Sequence, residues 1–295
     1  LAIGLWALVL VFLLPAISPL VSKLIGVSPA PAWHWTVAFV YPFLMLLPAT
    51  AAMGGTLPAM DRFFARLKNG QRVAGLVSAT GSAGTLACGD YVKQKFPQAR
   101  IAAVEALQCP TLLQNGYGGH RIEGIGDKHV PWIHNVRNTD FIAAVDDEQT
   151  MQLMRLFNED EGHAALRREG VDEDTLASLG DIGISGICNL VASIKAARYY
   201  DMDGRDVIFT PLTDSMELYS SRIEEMRGDR GPYTTHHADQ HLGRYLHGTT
   251  TDHVRELSYA DRKALHNFKY FTWVEQQGRS SEDLRQLWDE DFWAG

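Results

Sequence analysis

The stretch Ser78-Ala79-Thr80-Gly81-Ser82-Ala83-Gly84-Thr85 stands between an apolar segment, Val73 to Val77, and a helix-like run from Leu86 to Lys95. A strand, a turn of small residues and a helix start can bind an anion, because the first N–H groups of a helix lack partners and its dipole adds positive charge. The two glycines allow a phosphate to approach the backbone, and Ser82 and Thr85 add hydroxyl donors. The stretch predicts either a phosphate-binding turn or a plain strand-to-helix connection.

Composition and charge limit the classes of function. The chain has 295 residues, enough for two modest domains, and its formal net charge of -8 argues against nucleic acid as a partner. Its three cysteines, Cys88, Cys109 and Cys188, form neither a zinc pattern nor a disulfide framework, which fits a reducing compartment. Charge is unevenly distributed, because Lys23 is the only charged residue between Leu1 and Met60. We infer two parts in different solvents.

The beginning of the chain is apolar. The stretches Leu1 to Val21 and Trp33 to Met60 are each as long as the roughly 20 residues needed to cross a bilayer core. Basic residues follow the second stretch directly: Arg62, Arg66, Lys68 and Arg72. By the positive-inside rule this end is cytoplasmic. We therefore predict an apolar helical hairpin over residues 1–72, with membrane contact through residues 1–60 and the soluble domain in the cytoplasm.

Other interpretations of the apolar part stay open. They are a signal peptide, a buried core hairpin, or an artefact of joining, in which case the protein is cytoplasmic. The run from Leu47 to Pro58 resembles a helix from the multi-pass region of membrane-bound spermidine-synthase-like proteins, a resemblance over about the first 75 residues. The aminopropyltransferase domain of such proteins has no counterpart in this sequence.

The rest of the chain alternates between strand-like and helix-like segments. The predicted strands are Val73 to Val77, Arg100 to Ala106, Phe141 to Val145 and Asp206 to Thr210. Helices are predicted between them, and this rhythm is typical of an α/β domain with a parallel sheet. We assign residues 73–227 to this domain and residues 228–295 to a C-terminal helical extension, with a break from Gly228 to Pro232 and helices from Tyr259 to Gln276 and from Ser280 to Trp288.

Five motifs follow one another along the α/β part. They are Gly81-Ser82-Ala83-Gly84-Thr85, Ile101-Ala102-Ala103-Val104-Glu105, His120-Arg121-Ile122-Glu123-Gly124-Ile125-Gly126, Gly183-Ile184-Ser185-Gly186, and Thr213-Asp214-Ser215 with Glu217 and Tyr219. Their order resembles that of the pyridoxal-phosphate enzymes of the cysteine synthase and threonine synthase type, which have the tryptophan synthase β fold (fold type II). The resemblance spans about Val73 to Tyr219.

The resemblance implies a cofactor and a site. Pyridoxal 5′-phosphate would be held through its phosphate by the amides and hydroxyls from Gly81 to Thr85, and Ser215 would hydrogen-bond the pyridine nitrogen. A neutral partner leaves the ring unprotonated, which suits β-elimination and β-replacement on an amino-acid substrate. Thr213 and Asp214 are alternates for Ser215, which is also a candidate helix N-cap. Members of this family are usually homodimers.

The family's reactive half has no counterpart in the sequence. Its Schiff-base lysine stands in a Ser-x-Lys-Asp/Glu-Arg pattern, and neither this pattern nor the following Ser/Thr-Ser-Gly-Asn loop occurs before Ser78. The only lysines there are Lys23 and Lys68. We therefore predict no catalytic residue. The hypotheses are an incomplete lyase or transferase, a non-catalytic membrane-anchored cofactor-binding module, and a fused or truncated gene product with its seam near Arg72 to Ser78.

Histidines are frequent near the C-terminal end. His237 and His241 are four residues apart, so a helix would place both on one face, as metal ligands can be placed. The alternative is a solvated polar helix. Since no cysteine or well-spaced carboxylate completes a ligand set, we expect no metal site.

Overall fold

The computed structural model describes residues 2–26, 29–54, 62, 71–79 and 83–293. The chain forms two compact units, Leu1–Asn69 and Gly70–Gly295. The second unit contains the sheet together with the helices up to the C-terminal end.

The first unit contains a pair of helices, α1 (Ala2–Ile25) and α2 (Pro31–Gly54). The indole of Trp6 donates to the carbonyl of Met45 at 2.7 Å, so the two helices are tied side by side. Most of their apolar side chains are exposed. Among the described residues, Leu8–Ile25 and Pro31–Ala51 are long and apolar enough to cross a membrane. A third candidate is a helix pair bent by 120°, Glu173–Asp181 with Ile184–Tyr199, in the second unit.

The second unit is built on a five-stranded sheet. Its strands are β1 (Arg72–Ala79), β2 (Arg100–Ala106), β3 (Phe141–Val145), β4 (Asp206–Phe209) and β5 (Val254–Glu256). The order across the sheet is β4-β1-β2-β3-β5. The first four strands are parallel to their neighbours, as predicted, whereas β5 pairs antiparallel with β3.

β5 was not predicted, and it lies in the segment that was predicted as a helical extension. The strand is three residues long and Val254 is its only apolar residue, so it carries no periodicity that could distinguish a strand. His253, just before it, has a positive φ of 54°, a conformation that is uncommon for residues other than glycine. The fold is therefore α/β with a mainly parallel sheet and one antiparallel edge strand.

Helices connect the strands and extend the unit after β4. They are α3 (Ala83–Lys95), α4 (Thr111–Gln114), α5 (Asp147–Asn158), α6 (Asp160–Arg168), α7 (Glu173–Ser178), α8 (Ile184–Tyr199), α9 (Ser220–Arg230), α10 (Thr235–His241), α11 (Tyr259–Lys269) and α12 (Ser281–Gln286). Short 3₁₀ helices span Val136–Asn138, Leu179–Asp181, Met216–Tyr219 and Asp291–Trp293, and π-helical turns span Leu242–His247 and Tyr270–Gln276.

One predicted helix differs in type over its second half. The helix predicted from Tyr259 to Gln276 is α-helical only to Lys269 and continues as a π-helical turn. The break predicted from Gly228 to Pro232 is present at Gly231, which has a φ of +76° and follows the last residue of α9.

The core lies on both faces of the central strands. Every residue of β3 is buried, as is every residue of β2 after Arg100. Parallel strands covered by helices on both faces read as continuous apolar runs, which is why both strands were recognised in the sequence. Helix α8 packs against β1, β2 and β3, while α3 packs against β1 and β2.

The sheet order places two chain segments next to each other. β1 and β4 are parallel neighbours, with Arg72 opposite Asp206 and Leu76 opposite Phe209. Their carboxyl ends therefore lie at the same edge of the sheet. The segment that follows β4 leaves the sheet at this edge, which is where open α/β sheets bind ligands.

Candidate functional site

The loop after β4 is docked on the start of α8. The side-chain amide of Asn189 donates to the carbonyl of Pro211 at 3.3 Å, and the hydroxyls of Ser185 and Thr213 are 3.1 Å apart. These two contacts hold the loop along the first turns of the helix, together with a third contact made by Asp214. The loop is therefore positioned by a rigid element rather than by its own sequence.

The contact with Asp214 explains why residue 183 is a glycine. The amide of Gly183 donates to the carbonyl of Asp214 at 3.0 Å. A Cβ atom at position 183 would lie 2.0 Å from Oδ1 of Asp214 and 3.0 Å from its carbonyl oxygen. Only a residue without a side chain permits this approach, so the glycine that opens the Gly183-Ile184-Ser185-Gly186 motif is needed for docking the loop.

The predicted phosphate-binding residues lie partly outside the described residues. Gly81 and Ser82 are not described, whereas Ala83, Gly84 and Thr85 are the first three residues of α3. β1 ends at Ala79 and α3 begins at Ala83, so the predicted strand and helix are both present, while the turn between them lies outside the described residues. Their predicted contact with a phosphate stays a prediction.

Ser215 stands directly before the 3₁₀ helix Met216–Tyr219. Its backbone is extended, with φ −121° and ψ 165°, and its side chain makes no capping hydrogen bond. The two alternates differ, because Thr213 shares a hydrogen bond with Ser185 and the carboxylate of Asp214 accepts the phenol of Tyr219 at 2.5 Å. Ser215 occupies the N-cap position without capping the helix within the described part of the chain.

Several buried polar atoms at this edge have no partner among the described residues. They are Oδ1 of Asn189, Oγ1 of Thr210, Oδ1 of Asp214 and Oε2 of Glu123. A buried polar atom without a partner costs about 1–3 kcal/mol, so such atoms are uncommon in folded proteins. Their concentration around the loop after β4 marks this edge as the place where a polar ligand would complete the hydrogen bonding.

The loop from His120 to Gly126 is anchored beside this edge. The guanidinium of Arg121 contacts Oδ1 of Asp147 at 2.9 Å and Oε2 of Glu148 at 2.7 Å, and its backbone amide donates to Asp147 at 3.1 Å. Hydrogen bonds and charge from these carboxylates raise the pKa of Arg121. Arg121, the basic residue of this motif, therefore fixes the loop to the first turn of α5.

The same loop reaches the loop after β4. Glu123 accepts a hydrogen bond from Arg222, and the charge of Glu123 contributes to the raised pKa of Tyr219, which is due first to burial and then to the hydrogen bond with Asp214. Gly124, at φ +77°, lies so close to α8 that a Cβ there would be 3.9 Å from Cβ of Ser185. Three of the five motifs thus meet at one edge of the sheet.

Two interactions escaped the sequence analysis. It assigned no role to the pairing of Asp214 with Tyr219, although both residues belong to one motif. The second is the binding of Arg121 by Asp147 and Glu148, two acidic residues in the first turn of α5. The sequence does show acidic residues in the first turn of a helix and a basic residue in a motif loop. It does not show that these residues bind each other.

The histidines of α10 lie on one face, as predicted. His237 and His241 have ring centroids 6.2 Å apart, and Nδ1 of His241 lies 3.0 Å from the hydroxyl of Tyr233. Burial, followed by the charge of His237, lowers the pKa of His241 to about 4. Within the described part of the chain, no three His, Cys, Asp or Glu side chains are grouped to hold a metal ion.

Comparison with curated proteins identifies relatives of about half of the chain. Cysteine synthase B of Campylobacter jejuni is 29% identical over 146 residues, which are 49% of this chain and 42% of that protein. A cysteine synthase of Staphylococcus aureus is 28% identical over 153 residues, or 52% of this chain and 43% of that protein. The similarity is to cysteine synthases. The chain spans less than half the length of the curated relatives it matches.

Solved structures give partial overlaps. A hydrogen sulfide-producing enzyme from Fusobacterium nucleatum is 23% identical with a TM-score of 0.41, over 58% of this chain and 45% of that one. O-acetylserine sulfhydrylase isoform 3 from Entamoeba histolytica is 23% identical with a TM-score of 0.43, over 57% and 45%. No model of a protein family matches the chain.

The sequence relatives support the family inferred from the five motifs. Cysteine synthases are pyridoxal 5′-phosphate enzymes, so the predicted cofactor is the one that their class uses. The resemblance of the N-terminal stretch to spermidine-synthase-like proteins stays a prediction.

Proposed function

We propose that the second unit is the cofactor-binding part of a pyridoxal 5′-phosphate-dependent lyase or transferase that acts on an amino acid by β-elimination or β-replacement. The observation that carries this proposal is the loop after β4, which is docked on α8 beside the carboxyl end of β1 and leaves the hydroxyl of Ser215 without a capping hydrogen bond among the described residues. The similarity to cysteine synthases supports it.

The residues present fit this cofactor. The amides and hydroxyls from Gly81 to Thr85 would hold the phosphate at the start of α3, where the helix dipole favours an anion. The hydroxyl of Ser215 would donate to the pyridine nitrogen. When bound, the cofactor supplies an electron sink for negative charge at Cα of an amino acid.

The chain's own contribution is to orient the ring. A neutral hydroxyl opposite the ring nitrogen leaves that nitrogen unprotonated, whereas a carboxylate there would favour the protonated ring. Asp214 is the neighbouring carboxylate, and its Oδ2 is occupied by the phenol of Tyr219. This contact leaves the neutral Ser215 as the partner for the ring, which fits β-elimination and β-replacement.

A second candidate function is a non-catalytic module that binds the same cofactor. The observation that favours it is the sequence before Ser78. Its only lysines are Lys23 and Lys68, and neither stands in a Ser-x-Lys-Asp/Glu-Arg pattern. A lysine positioned for a Schiff base would then have to come from another polypeptide segment. The fused or truncated gene product remains a third hypothesis for the origin of the chain.

A titration separates these functions. Full-length protein purified in detergent is mixed with pyridoxal 5′-phosphate, binding is followed by absorbance, and borohydride is added before peptide mapping. Saturable binding that Thr85→Ala and Ser215→Ala weaken supports the site. Covalent fixation to a single lysine supports the enzyme, and saturable binding without fixation supports the module. The absence of saturable binding would contradict both functions.

We also propose that α1 and α2 anchor the protein in a membrane with the second unit on the cytoplasmic side. The two candidate spans are almost entirely unburied, and each has two prolines in the interior of its helix, which membrane helices tolerate better than soluble ones. The basic residues after α2 favour this orientation. The expected homodimer stays a prediction.

A further inference from the structure

Ser215 lies in a short segment that is closed by contacts of the residue before it. The carbonyl of Asp214 accepts the amide of Gly183 at 3.0 Å, while its Oδ2 accepts the hydroxyl of Tyr219 at 2.5 Å. The second contact bridges the 3₁₀ helix Met216–Tyr219 from one end to the other. The backbone on both sides of Ser215 is therefore fixed by interactions that do not use its own side chain.

The contact between Asp214 and Tyr219 pairs a charged acceptor with a neutral donor. Tyr219 packs against the main hydrophobic cluster of the unit, and burial raises the pKa of its phenol, so the hydroxyl keeps its proton. Hydrogen bonds to an ionised acceptor are shorter and about twice as strong as those between neutral groups. This bond is accordingly a strong constraint on the six-residue segment.

The other carboxylate oxygen of Asp214, Oδ1, lies against Gly183. Oδ1 of Asp214 is buried and has no partner among the described residues, and it occupies the space that a Cβ of Gly183 would need. The carboxylate is thus held between a glycine of α8 and the phenol.

We propose that Asp214 and Tyr219 are positioning residues that hold Ser215 in the orientation in which its hydroxyl donates to the ring nitrogen of the cofactor. This inference rests on the proposed function, because it deepens the role of Ser215 in the same site. Asp214 acts through the backbone of Ser215, and Tyr219 acts through Asp214.

A merely structural role makes a different prediction. If the bond only stabilised the loop, its loss would weaken cofactor binding to the same extent whether residue 215 carried a hydroxyl or not. If the bond orients Ser215, its loss would matter only while that hydroxyl is present. A double-mutant cycle between positions 219 and 215 measures this coupling.

The experiment uses full-length protein in detergent with pyridoxal 5′-phosphate as the probe. Tyr219→Phe removes one hydroxyl and should weaken binding about tenfold in the wild-type background, the upper end for a single hydrogen bond. In the Ser215→Ala background it should change binding less than about twofold. Tyr200→Phe is the matched control, because it breaks a Tyr–carboxylate bond of 3.2 Å with Glu256 at the other end of α8.

The absorbance of the bound cofactor provides a second measurement. Tyr219→Phe and Ser215→Ala should shift the absorbance maximum in the same direction, while Tyr200→Phe leaves it in place. Asp214→Asn keeps an oxygen that accepts the phenol and should retain most of the affinity. Asp214→Ala should behave like Tyr219→Phe, and Tyr219→Phe serves as the test if the Ala variant does not fold.

The outcomes are distinct. Equal weakening by Tyr219→Phe in both backgrounds, with an unchanged absorbance maximum, would overturn the positioning role while leaving the proposed function intact. Wild-type protein that shows no saturable binding would overturn the proposed function, and the positioning role with it. Coupling between positions 219 and 215, with a shared spectral shift, would support both.

Discussion

Glu105 is a carboxylate in the centre of the second unit. It lies in β2 with 1% of its surface exposed, and its two oxygens accept the amides of Leu112 and Leu113 at 2.9 Å each. These bonds attach the short helix α4 to the sheet. Burial is the larger influence on the pKa of Glu105 and raises it to about 7, against the two amides, which lower it.

This shift predicts a pH dependence of stability. The folded state keeps the proton up to about pH 7, whereas the unfolded chain loses it near 4.5. Between these values the unfolded state binds fewer protons, so the free energy of unfolding falls as pH rises, by about 3 kcal/mol for this group. Glu105→Gln should remove that slope. Urea unfolding of the full chain in detergent between pH 4.5 and 8 measures it.

The control for this change is Glu282→Gln, whose side chain is 61% exposed on α12. It should unfold with the pH dependence of the wild type. If Glu105→Gln also retained the wild-type slope, the protonation of Glu105 would not be linked to folding.

At the scale of elements, the start of α8 serves as a platform for the loop after β4. The helix is 16 residues long, and its first residues contact the loop through Gly183, Ser185 and Asn189. Most of the helix is buried against the sheet, so the platform moves only if the core moves. A loop that carries polar groups is thereby given the rigidity of the helix.

Gly183→Ala tests this platform. The added Cβ would lie 2.0 Å from Oδ1 of Asp214, so the loop after β4 must shift away from α8. We expect a loss of about 1–3 kcal/mol in the free energy of unfolding and weaker binding of pyridoxal 5′-phosphate. Thermal unfolding and the cofactor titration measure the two effects.

Gly180→Ala is the matched control, because a Cβ at Gly180 meets nothing within 4 Å. It should leave both the stability and the cofactor affinity close to those of the wild type. Equal behaviour of the two alanine variants would mean that the loop does not depend on close approach to α8.

Elements with a strong local pattern were predictable. β3 has the predicted bounds, Phe141–Val145, because five consecutive buried apolar residues identify a strand covered on both faces. Ser280 begins α12 as predicted, since its side chain accepts the amide of Asp283, and Asp146 begins α5 in the same way by accepting the amide of Glu148. Capping is local, so the sequence contains all of the information.

Features that depend on distant partners were not predictable. β5 forms by pairing with β3. Its three residues include one apolar side chain, so its own sequence does not specify that pairing. The π-helical turn Tyr270–Gln276 has the amphipathic pattern of an ordinary helix. The motifs placed Asp214 and Tyr219 near the site, but only the fold shows that they bind each other across a 3₁₀ helix.

For the whole molecule, the two units differ in the surfaces that they expose. The first exposes large apolar side chains along both helices, among them Phe12 (73% exposed) and Phe43 (60%). The second buries its apolar residues on both faces of a sheet. A contiguous apolar surface of this extent is unfavourable in water, and a bilayer removes that cost.

This contrast predicts how the chain partitions. Wild-type protein should remain with membranes after carbonate extraction. The double substitution Phe12→Arg and Phe43→Arg places a charge in each candidate span at a cost of about 2.5–3.5 kcal/mol per arginine near the helix centre, so a larger fraction should be extracted. Phe271→Arg, at a position 54% exposed in the second unit, is the control and should stay with the membrane like the wild type. Extraction of the wild type by carbonate, or retention of the double variant at the wild-type level, would contradict the proposed anchor.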